Sequence, residues 1–467
     1  MFAARSFYQR TFTVAVASSI TLCSLSPESY AAPVKDDLQN RRVVVVGGGT
    51  GGLGVAAQLH NAGVKNVTII EPKSVHYYQP LWTLVGGGIK DKKESVKDMK
   101  DVVPKGVQWI QQSVNTFQPD NNQITLQDGS KVEYDYLIVA AGLQINWNKI
   151  SGLVEGLEKP DSGVVSIYDF KYCDKTFQAF EKMKNDPLSK KMIFTVPVGL
   201  IKCAGAPQKI MWILEDTLRS EGLRDSKTIE FQVPGGAMFG IKRYADQLDV
   251  IRKARGVNAL YKRELVAIDV NNKIASFKNL DNNTILEEKY DYLHVTPPMS
   301  APDFIKQSPL ADSSGWMEVN KNTLQSTKYS NVFGIGDCTN TPNSKTAAAI
   351  TAQAPVVVHN LLEVMENKPL TGNYNGYASC PLIIGRNHVL LAEFGYDGKI
   401  LETFDGEYGK FPYNVFVGKL LPVEIQQRFF YWLKEQFFPF AYWQLWVRGQ
   451  WYGTNGPFKP DVTKVEK

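Results

Sequence analysis

Two of the cysteines, Cys203 and Cys380, are candidates for redox or nucleophilic chemistry. Cys203 lies in a loop directly before a stretch with a helical pattern, residues 208–219, and Cys380 lies much further along the chain. A free cysteine is commonly a small buried hydrophobe, and that is the alternative for both positions. A helix N-terminus, however, lowers the pKa of a nearby thiol. We therefore expect redox or nucleophilic chemistry at Cys203.

The other cysteines and the histidines predict no metal site. The chain has five cysteines and five histidines, without a CxxC pair or a His/Cys cluster at zinc spacing. Cys23 lies in the N-terminal segment, Cys173 is expected in a helix, and Cys338 is expected to pack structurally. Five cysteines in 467 residues are also too few for a disulfide scaffold.

A glycine-rich loop has the spacing of a dinucleotide-binding turn. Gly47, Gly49 and Gly52 form a GxGxxG pattern. In such a loop the first glycine allows the tight turn, the second lets the backbone approach a pyrophosphate, and the third permits close helix–strand packing. The phosphates then meet the positive end of the helix. Alone the pattern is weak, because a glycine-rich turn need not bind a ligand.

The elements around this loop strengthen the prediction. A β-branched run at 43–46 predicts a strand buried on both faces, residues 55–59 predict a helix, and residues 67–70 predict a second strand. The second strand ends at Glu71, near the offset of about 20 residues at which an acid binds a ribose hydroxyl. We therefore expect a Rossmann unit with a bound dinucleotide.

A second motif identifies the dinucleotide. A short apolar run ends in Gly336-Asp337 and precedes a helix-forming stretch at 346–354. This resembles the second FAD motif of the flavoproteins with two dinucleotide-binding domains, the glutathione-reductase-like family. The resemblance implies an α/β fold with two Rossmann-like domains. It also implies FAD, bound near its ribityl or phosphate region by Asp337, and Lys345 is a candidate to stabilise the reduced flavin.

The domain organisation follows from the same resemblance and from an internal repetition. Residues 134–137 (Tyr-Asp-Tyr-Leu) recur at 290–293, at the points where the family's chain enters and leaves its second domain. We expect a targeting presequence at 1–35, an FAD domain in two parts at 40–160 and 300–370, a second Rossmann-like domain at 161–299, and a C-terminal membrane and quinone region at 371–467 that carries Cys380.

The second domain lacks a nicotinamide fingerprint. A strand is predicted at 191–196, but the loop after it has no GxGxxG pattern, and bulky Leu200 and Ile201 would obstruct a pyrophosphate. We expect this domain to keep its fold without binding NAD(P)H.

Four segments together resemble the sulfide:quinone oxidoreductases of the mitochondrial type over nearly the whole mature chain: 78–83, 201–209, 336–340 and 379–382. The resemblance implies that sulfide attacks an oxidised Cys203/Cys380 pair and leaves a persulfide on Cys380. Two electrons then pass through Cys203 to FAD and on to ubiquinone, and sulfite or glutathione accepts the sulfane sulfur. The resting pair is either a disulfide or holds one more bridging sulfur. Lys209 is a candidate to stabilise the thiolate.

The two ends of the chain indicate a location. Residues 1–27 contain Arg5 and Arg10 and no acid, which favours a mitochondrial presequence over a secretory signal. Residues 429–452 are half aromatic and are divided by Pro439, which predicts two short amphipathic helices in a membrane interface. Arg428, Lys434 and Arg448 would suit anionic lipids. The alternative is a tail that packs in the core or forms a dimer. We expect a peripheral protein of the mitochondrial inner membrane.

Composition and competing functions narrow the prediction further. A hydrophobic content of 43% excludes general disorder, and a net charge of +5 without a basic run argues against nucleic acid as a partner. A type II NADH:quinone oxidoreductase shares the architecture but would need the missing nicotinamide loop. A soluble sulfide dehydrogenase would not need the aromatic tail. A non-enzymatic FAD-bound interaction protein stays open, and sulfide-dependent quinone reduction separates these possibilities.

Overall fold

The computed structural model describes residues 39–404 and 423–464. The predicted presequence and Cys23 lie outside the described residues. Strands follow in chain order as β1 (Val43–Val46), β2 (Val67–Ile70), β3 (Val75–Tyr77), β4 (Val96–Asp98), β5 (Gln108–Ile110), β6 (Val114–Gln118), β7 (Gln123–Leu126), β8 (Lys131–Glu133), β9 (Tyr136–Val139), β10 (Gln144–Ile145), β11 (Val164–Val165), β12 (Lys191–Thr195), β13 (Thr228–Val233), β14 (Val257–Tyr261), β15 (Arg263–Asp269), β16 (Ile274–Asn279), β17 (Ile285–Lys289), β18 (Tyr292–His294), β19 (Met299–Ser300), β20 (Val332–Gly334), β21 (Ala378–Gly385) and β22 (His388–Phe394).

Helices follow in chain order as α1 (Thr50–Asn61), α2 (Trp82–Gly86), α3 (Met99–Val102), α4 (Leu153–Glu158), α5 (Cys173–Asn185), α6 (Ala206–Ser220), α7 (Lys242–Ala254), α8 (Asp303–Lys306), α9 (Ala347–Met365), α10 (Val423–Trp432) and α11 (Phe438–Gln444).

Two parallel sheets confirm the predicted α/β fold class. The first has the order β20-β9-β1-β2-β5, and the second has the order β11-β18-β12-β13-β14. All four residues of β1 are buried, as expected of a strand covered on both faces. The first sheet joins strands from before residue 140 to β20, beyond residue 330. The domain limits proposed from the sequence stay a prediction.

The sheet topology explains why the Tyr-Asp-Tyr-Leu segment occurs twice. The first leads into β9, which pairs with β1 and β20, and the second leads into β18, which pairs with β11 and β12. Each therefore supplies an inner strand of a parallel sheet, where an apolar run after a short polar lead-in is required.

Two helices extend beyond their predicted limits. Helix α1 begins at Thr50, five residues before the predicted start, because its glycines pack closely against the strand and bring the helix N-terminus to the loop. Helix α9 continues to Met365 through Pro355. This helix has the length and composition to cross a membrane, but over half of it is buried inside the protein. It is therefore a core helix by its packing.

The tail forms the two predicted helices, but Pro439 does not divide them. Helix α10 continues through a π-helical stretch, Leu433–Phe437, directly into α11. Pro439 lies in the first turn of α11, where a missing N–H breaks no helical hydrogen bond. Side chains of the tail also pack in the protein core: Phe429, Tyr431, Tyr442, Trp443 and Trp446 are all buried.

Candidate active site at the two cysteines

The Cys203 loop connects β12 to α6 and contacts the segment that contains Lys345. Strand β12 leads into the loop, and α6 leaves it with its first residue at Ala206. The Cys203 N–H donates a hydrogen bond to the Lys345 carbonyl at 2.6 Å, and the Cys203 carbonyl accepts one from the Ala206 N–H at 2.7 Å. The φ of Cys203 is +53°, a conformation that side chains other than glycine seldom adopt. Such strain persists where the surrounding structure enforces it, and it is common at functional sites.

Cys380 meets Cys203 from an entirely different element. It lies inside β21, is 1% exposed, and faces Gly205. A Cβ at position 205 would come within 2.4 Å of the Cys380 sulfur, so a glycine is needed there. The Sγ atoms of Cys203 and Cys380 are 3.9 Å apart. The fold thus brings together the two cysteines singled out in the sequence.

The surroundings shift the pKa values of these two thiols in opposite directions. The Lys209 ammonium donates to the Cys203 Sγ at 3.1 Å. The contact with the Cys380 thiol and the nearby Lys209 charge hold the pKa of Cys203 well below its usual range, against the effect of burial. The same contact with Cys203, together with burial, raises the pKa of Cys380. In a reduced pair, these surroundings favour ionisation of Cys203 over that of Cys380.

The remaining described cysteines lack this environment. Burial raises the pKa of Cys173 to about 12 and that of Cys338 to about 11. Both are neutral thiols at ordinary pH. Cys173 is the first residue of α5, in agreement with its predicted helical position.

Lys434 lies in this region, contrary to the expectation from its sequence context. It was expected to face anionic lipids, but it is 5% exposed and donates from Nζ to the Pro80 carbonyl at 2.8 Å. Burial and, to a smaller extent, repulsion from Lys209 lower the pKa of Lys434 to about 7, although Cys203 and Cys380 oppose the decrease. A lysine within an aromatic stretch gives no sequence signal of such a position.

One cavity connects the cysteine loop to both predicted cofactor motifs and to the aromatic tail. Its volume is ≈ 1430 Å³, more than the roughly 300–1,000 Å³ of a usual small-molecule pocket. It is lined by residues of four kinds of segment: the glycine loop with Gly47 and Gly49, the site residues Cys203 and Lys209, the second motif with Asp337 and Lys345, and tail residues that include Phe429, Lys434 and Phe437. The space therefore suits a long cofactor and a second, apolar ligand.

The glycine loop has the shape of a pyrophosphate cradle. A Cβ on Gly52 would come within 1.8 Å of the Gly47 carbonyl oxygen, and no atom lies within 4 Å of a Cβ on Gly49, which faces open space. Helix α1 begins without a side-chain cap, so its first N–H groups are available to phosphate oxygens. Glu71 accepts from the Gly48 N–H at 2.9 Å. These residues fit a dinucleotide.

The second motif lies near the first, because β1 and β20 are parallel strands of one sheet and both motifs follow their carboxyl ends. The Gly336 N–H donates to the Gln353 Oε1 at 2.8 Å, and burial raises the pKa of the neighbouring Asp337. The Lys345 Nζ donates to the carbonyls of Thr339 and Thr341, at 2.7 and 3.1 Å. Lys345 is therefore a buried anchor of this loop, and its contact with the cofactor stays a prediction.

The second-domain loop differs in detail from the expectation. Ile201 packs in the core of that domain, whereas Leu200 is half exposed. The expected lack of NAD(P)H binding stays a prediction.

A buried polar chain ties the tail to the glycine loop. His76 Nε2 lies 2.6 Å from the Tyr442 hydroxyl, which is 3.0 Å from Thr50 Oγ1, and His76 Nδ1 lies 3.0 Å from the Gly48 carbonyl. Burial lowers the pKa of His76 to about 4, so the imidazole is neutral. No local sequence pattern indicates this chain, since Tyr442 and His76 are 366 residues apart.

Comparisons with known proteins agree with this architecture. Residues 41–183 match the family model described as pyridine nucleotide-disulphide oxidoreductase. The mitochondrial sulfide:quinone oxidoreductase of Dictyostelium discoideum is 44% identical, with 90% of this chain and 89% of the relative covered. The mitochondrial sulfide:quinone oxidoreductase of Mus musculus is 43% identical, covering 88% and 87%. The solved sulfide:quinone oxidoreductase of Aquifex aeolicus superposes with a TM-score of 0.69 at 20% identity, covering 87% and 91%.

Proposed function

We propose, for a chain that belongs to the family of mitochondrial sulfide:quinone oxidoreductases, that Cys203 and Cys380 are the pair on which sulfide is oxidised. The protein is an FAD-dependent oxidoreductase that transfers electrons from sulfide to a quinone, and it is mitochondrial. The observation that supports the assignment of the pair is the approach of two sulfurs from distant segments to 3.9 Å beside one buried ammonium.

The first step is thiol–disulfide exchange. In the oxidised pair, HS⁻ attacks the Cys380 sulfur, the bond between the two cysteine sulfurs breaks, and Cys203 leaves as a thiolate while Cys380 holds the persulfide. A disulfide bond is about 2.05 Å long, so the two sulfurs must move about 2 Å closer to form it. Lys209, 3.1 Å from Cys203, stabilises the leaving thiolate.

The two motifs that line the cavity would hold the cofactor. Gly47, Gly49 and Gly52 with the α1 N-terminus would bind the pyrophosphate, and Glu71 would bind a ribose. Gly336 and Asp337 would contact the ribityl chain, with Lys345 compensating the charge of Asp337. FAD, when bound, accepts two electrons from the thiolate side and delivers them to the quinone.

The proposed pair is tested by anaerobic reduction with sulfide. In Cys380→Ser the pair cannot form, so we expect sulfide to leave the flavin oxidised, followed by its absorbance. Cys338→Ser is the matched control because Cys338 is equally buried but has no cysteine partner in the described structure, and it should reduce normally. A normal rate of flavin reduction in Cys380→Ser refutes the pair. NADH in place of sulfide should not reduce the wild-type flavin.

We also infer the remaining partners from the chemistry of the site. Ubiquinone is apolar, and the part of the cavity beside the tail is lined by aromatic side chains such as Phe404, Phe429 and Phe437. A persulfide sulfur is electrophilic, so the acceptor is a small nucleophile such as sulfite or glutathione. Release of thiosulfate in the presence of sulfite, or of glutathione persulfide in the presence of glutathione, distinguishes the two.

Peripheral attachment to the mitochondrial inner membrane would use exposed aromatic side chains in the tail and in the residues that follow it. Phe440 is 46% exposed and Phe458 is 68% exposed. Interfacial aromatic side chains bind bilayers. We expect Phe440→Glu with Phe458→Glu to reduce sedimentation with liposomes, whereas Val250→Glu, an exposed position (69%) on α7, should leave it unchanged. Equal sedimentation of both variants contradicts the assignment.

A further inference from the structure

Cys380 lies in the two-stranded antiparallel sheet of β21 and β22, and the two faces of this sheet have different surroundings. Side chains alternate along a strand, so Cys380 faces the second domain, whereas Ser379 faces the cavity. Glu393 of β22 lies directly opposite Ser379 in register and also lines the cavity. A carboxyl group therefore lies beside the cysteine strand, on the face away from the thiols.

Glu393 is a buried acid held by neutral donors. It is 3% exposed. Its Oε1 accepts from the Tyr377 hydroxyl at 2.5 Å and from Thr403 Oγ1 at 2.6 Å, and its Oε2 accepts from the Thr403 N–H at 2.7 Å. In the described part of the chain no salt bridge reaches this carboxyl group. Burial of a carboxylate without a countercharge is costly.

The charged and titratable neighbours favour the protonated form. Burial raises the pKa of Glu393, and the negative charge of Glu402 adds to the increase, whereas its hydrogen bonds with Thr403 and Tyr377 oppose it. The Tyr244 hydroxyl contacts the backbone of Glu393 and the carboxylate of Glu402. A buried acid with a raised pKa in a cavity wall is a candidate for proton transfer.

The position of Glu393 indicates that it would exchange a proton with the quinone rather than bind the cofactor. Among the described residues the acids that line the cavity are Glu71, Asp337 and Glu393. Glu71 is bound to the glycine loop, and Asp337 belongs to the second cofactor motif. Glu393 is bound by Thr403, and the next residue, Phe404, packs against Phe429 and Phe430 of the tail. All of these residues line the cavity, and a quinone ring would lie against these aromatic side chains.

We propose that Glu393 is the proton donor to the quinone, held in position by Tyr377 and Thr403. This inference rests on the proposed function. Reduction of a quinone to the quinol needs two electrons and two protons. The quinone receives two electrons and one proton from the reduced cofactor and the second proton from Glu393, whose O–H bond breaks as the quinol O–H bond forms. The carboxylate keeps its three hydrogen-bond donors and regains a proton from water.

The test separates the two half-reactions of the holoenzyme. In Glu393→Gln, sulfide should reduce the flavin at the wild-type rate. Reoxidation of the reduced flavin by a short-chain ubiquinone should be about 100-fold slower, in the range of a lost general acid. Reoxidation by ferricyanide, which takes electrons without protons, should be unchanged. Glu287→Gln is the matched control and should behave as wild type, since Glu287 is exposed on β17 and does not line the cavity.

Two outcomes in Glu393→Gln refute the inference. Unchanged quinone reoxidation in Glu393→Gln, or equal slowing with quinone and ferricyanide, shows that the carboxyl group has no role as a proton donor. If Glu393→Gln loses FAD, Tyr377→Phe decides the question, because it removes one donor to the carboxylate and keeps the ring: slowing with quinone but not with ferricyanide supports the inference, and equal rates refute it. Failure of flavin reduction by sulfide in the wild type would instead refute the proposed function.

Discussion

The ammonium of Lys209 sets the reactivity of the site, and its removal gives the sharpest prediction. In Lys209→Met the side chain keeps most of its length and loses its charge. Lys209 is 3% exposed and lies 3.1 Å from the Cys203 sulfur. We expect the Cys203 thiol to titrate at higher pH in this variant, because the thiolate loses its closest cation.

The size of the effect follows from the separation. With an effective dielectric constant of about 20, unit charges at the distance of Lys209 from Cys203 attract by about 5 kcal/mol. If water and neighbouring dipoles recover half of this energy, the thiolate population falls up to about 100-fold, since 1.36 kcal/mol is a factor of ten. A thiolate of higher pKa is also more nucleophilic, with a Brønsted slope of about 0.4–0.5. The net alkylation rate should fall up to about tenfold.

The assay is alkylation of the reduced holoenzyme by iodoacetamide as a function of pH. Mass spectrometry of the peptides separates Cys203 from Cys380. Lys209→Arg keeps the charge and should stay near wild type, and Lys253→Met, an exposed position on α7, controls for the loss of a lysine. An alkylation rate of Cys203 in Lys209→Met within twofold of wild type would show that the ammonium does not stabilise the thiolate.

Three further changes test other parts of the structure. Gly52→Ala should purify without flavin absorbance because its Cβ would overlap the Gly47 oxygen at 1.8 Å, whereas Gly236→Ala, an exposed position with open space around its Cβ and outside the cavity, should keep its flavin. The pKa of Lys434 is about 7 when folded and 10.5 in the unfolded chain, so the unfolded state binds more protons between these values and stability rises with pH. From pH 7 to 9 this contribution is about 2 kcal/mol by urea unfolding, and it should be missing in Lys434→Met. Trp446→Ala should lower the free energy of unfolding by about 3–5 kcal/mol, since Trp446 is 1% exposed, whereas exposed Phe458→Ala should change it by less than about 0.5 kcal/mol.

The cofactor cradle was predictable because its signal is local. Gly47, Gly52 and Glu71 fall within 25 residues, and each is required by the backbone geometry of one strand–loop–helix unit. The meeting of Cys203 with Cys380 has no such signal, since 177 residues separate them, and only the family resemblance paired them. Contacts between distant segments depend on how sheets and helices pack, which periodicity does not encode.

The packing of the aromatic tail was also not predictable from its local sequence. Its amphipathic pattern predicts an apolar partner but does not state whether that partner is a bilayer or the protein itself. Trp446 packs against Gly54 of α1, where a Cβ would come within 2.1 Å of the indole. The complementary signal was therefore a small residue in the cofactor-binding helix, almost 400 positions away. Phe440 and Phe458 stay outside the core, so these side chains are available to contact a bilayer while the rest of the tail packs against the protein.

The tail consequently belongs to the active site as much as to any membrane. It supplies Lys434, whose charge is influenced by both cysteines, and Tyr442, which contacts His76 beside the glycine loop. Deleting the tail would remove buried aromatic side chains and the charge near the thiols together, so a truncated protein that leaves the membrane would give no information about membrane binding. Substitution of the exposed Phe440 and Phe458 leaves these contacts intact. A double variant that keeps FAD and sulfide-dependent flavin reduction, yet no longer sediments with liposomes, separates the two roles of this segment.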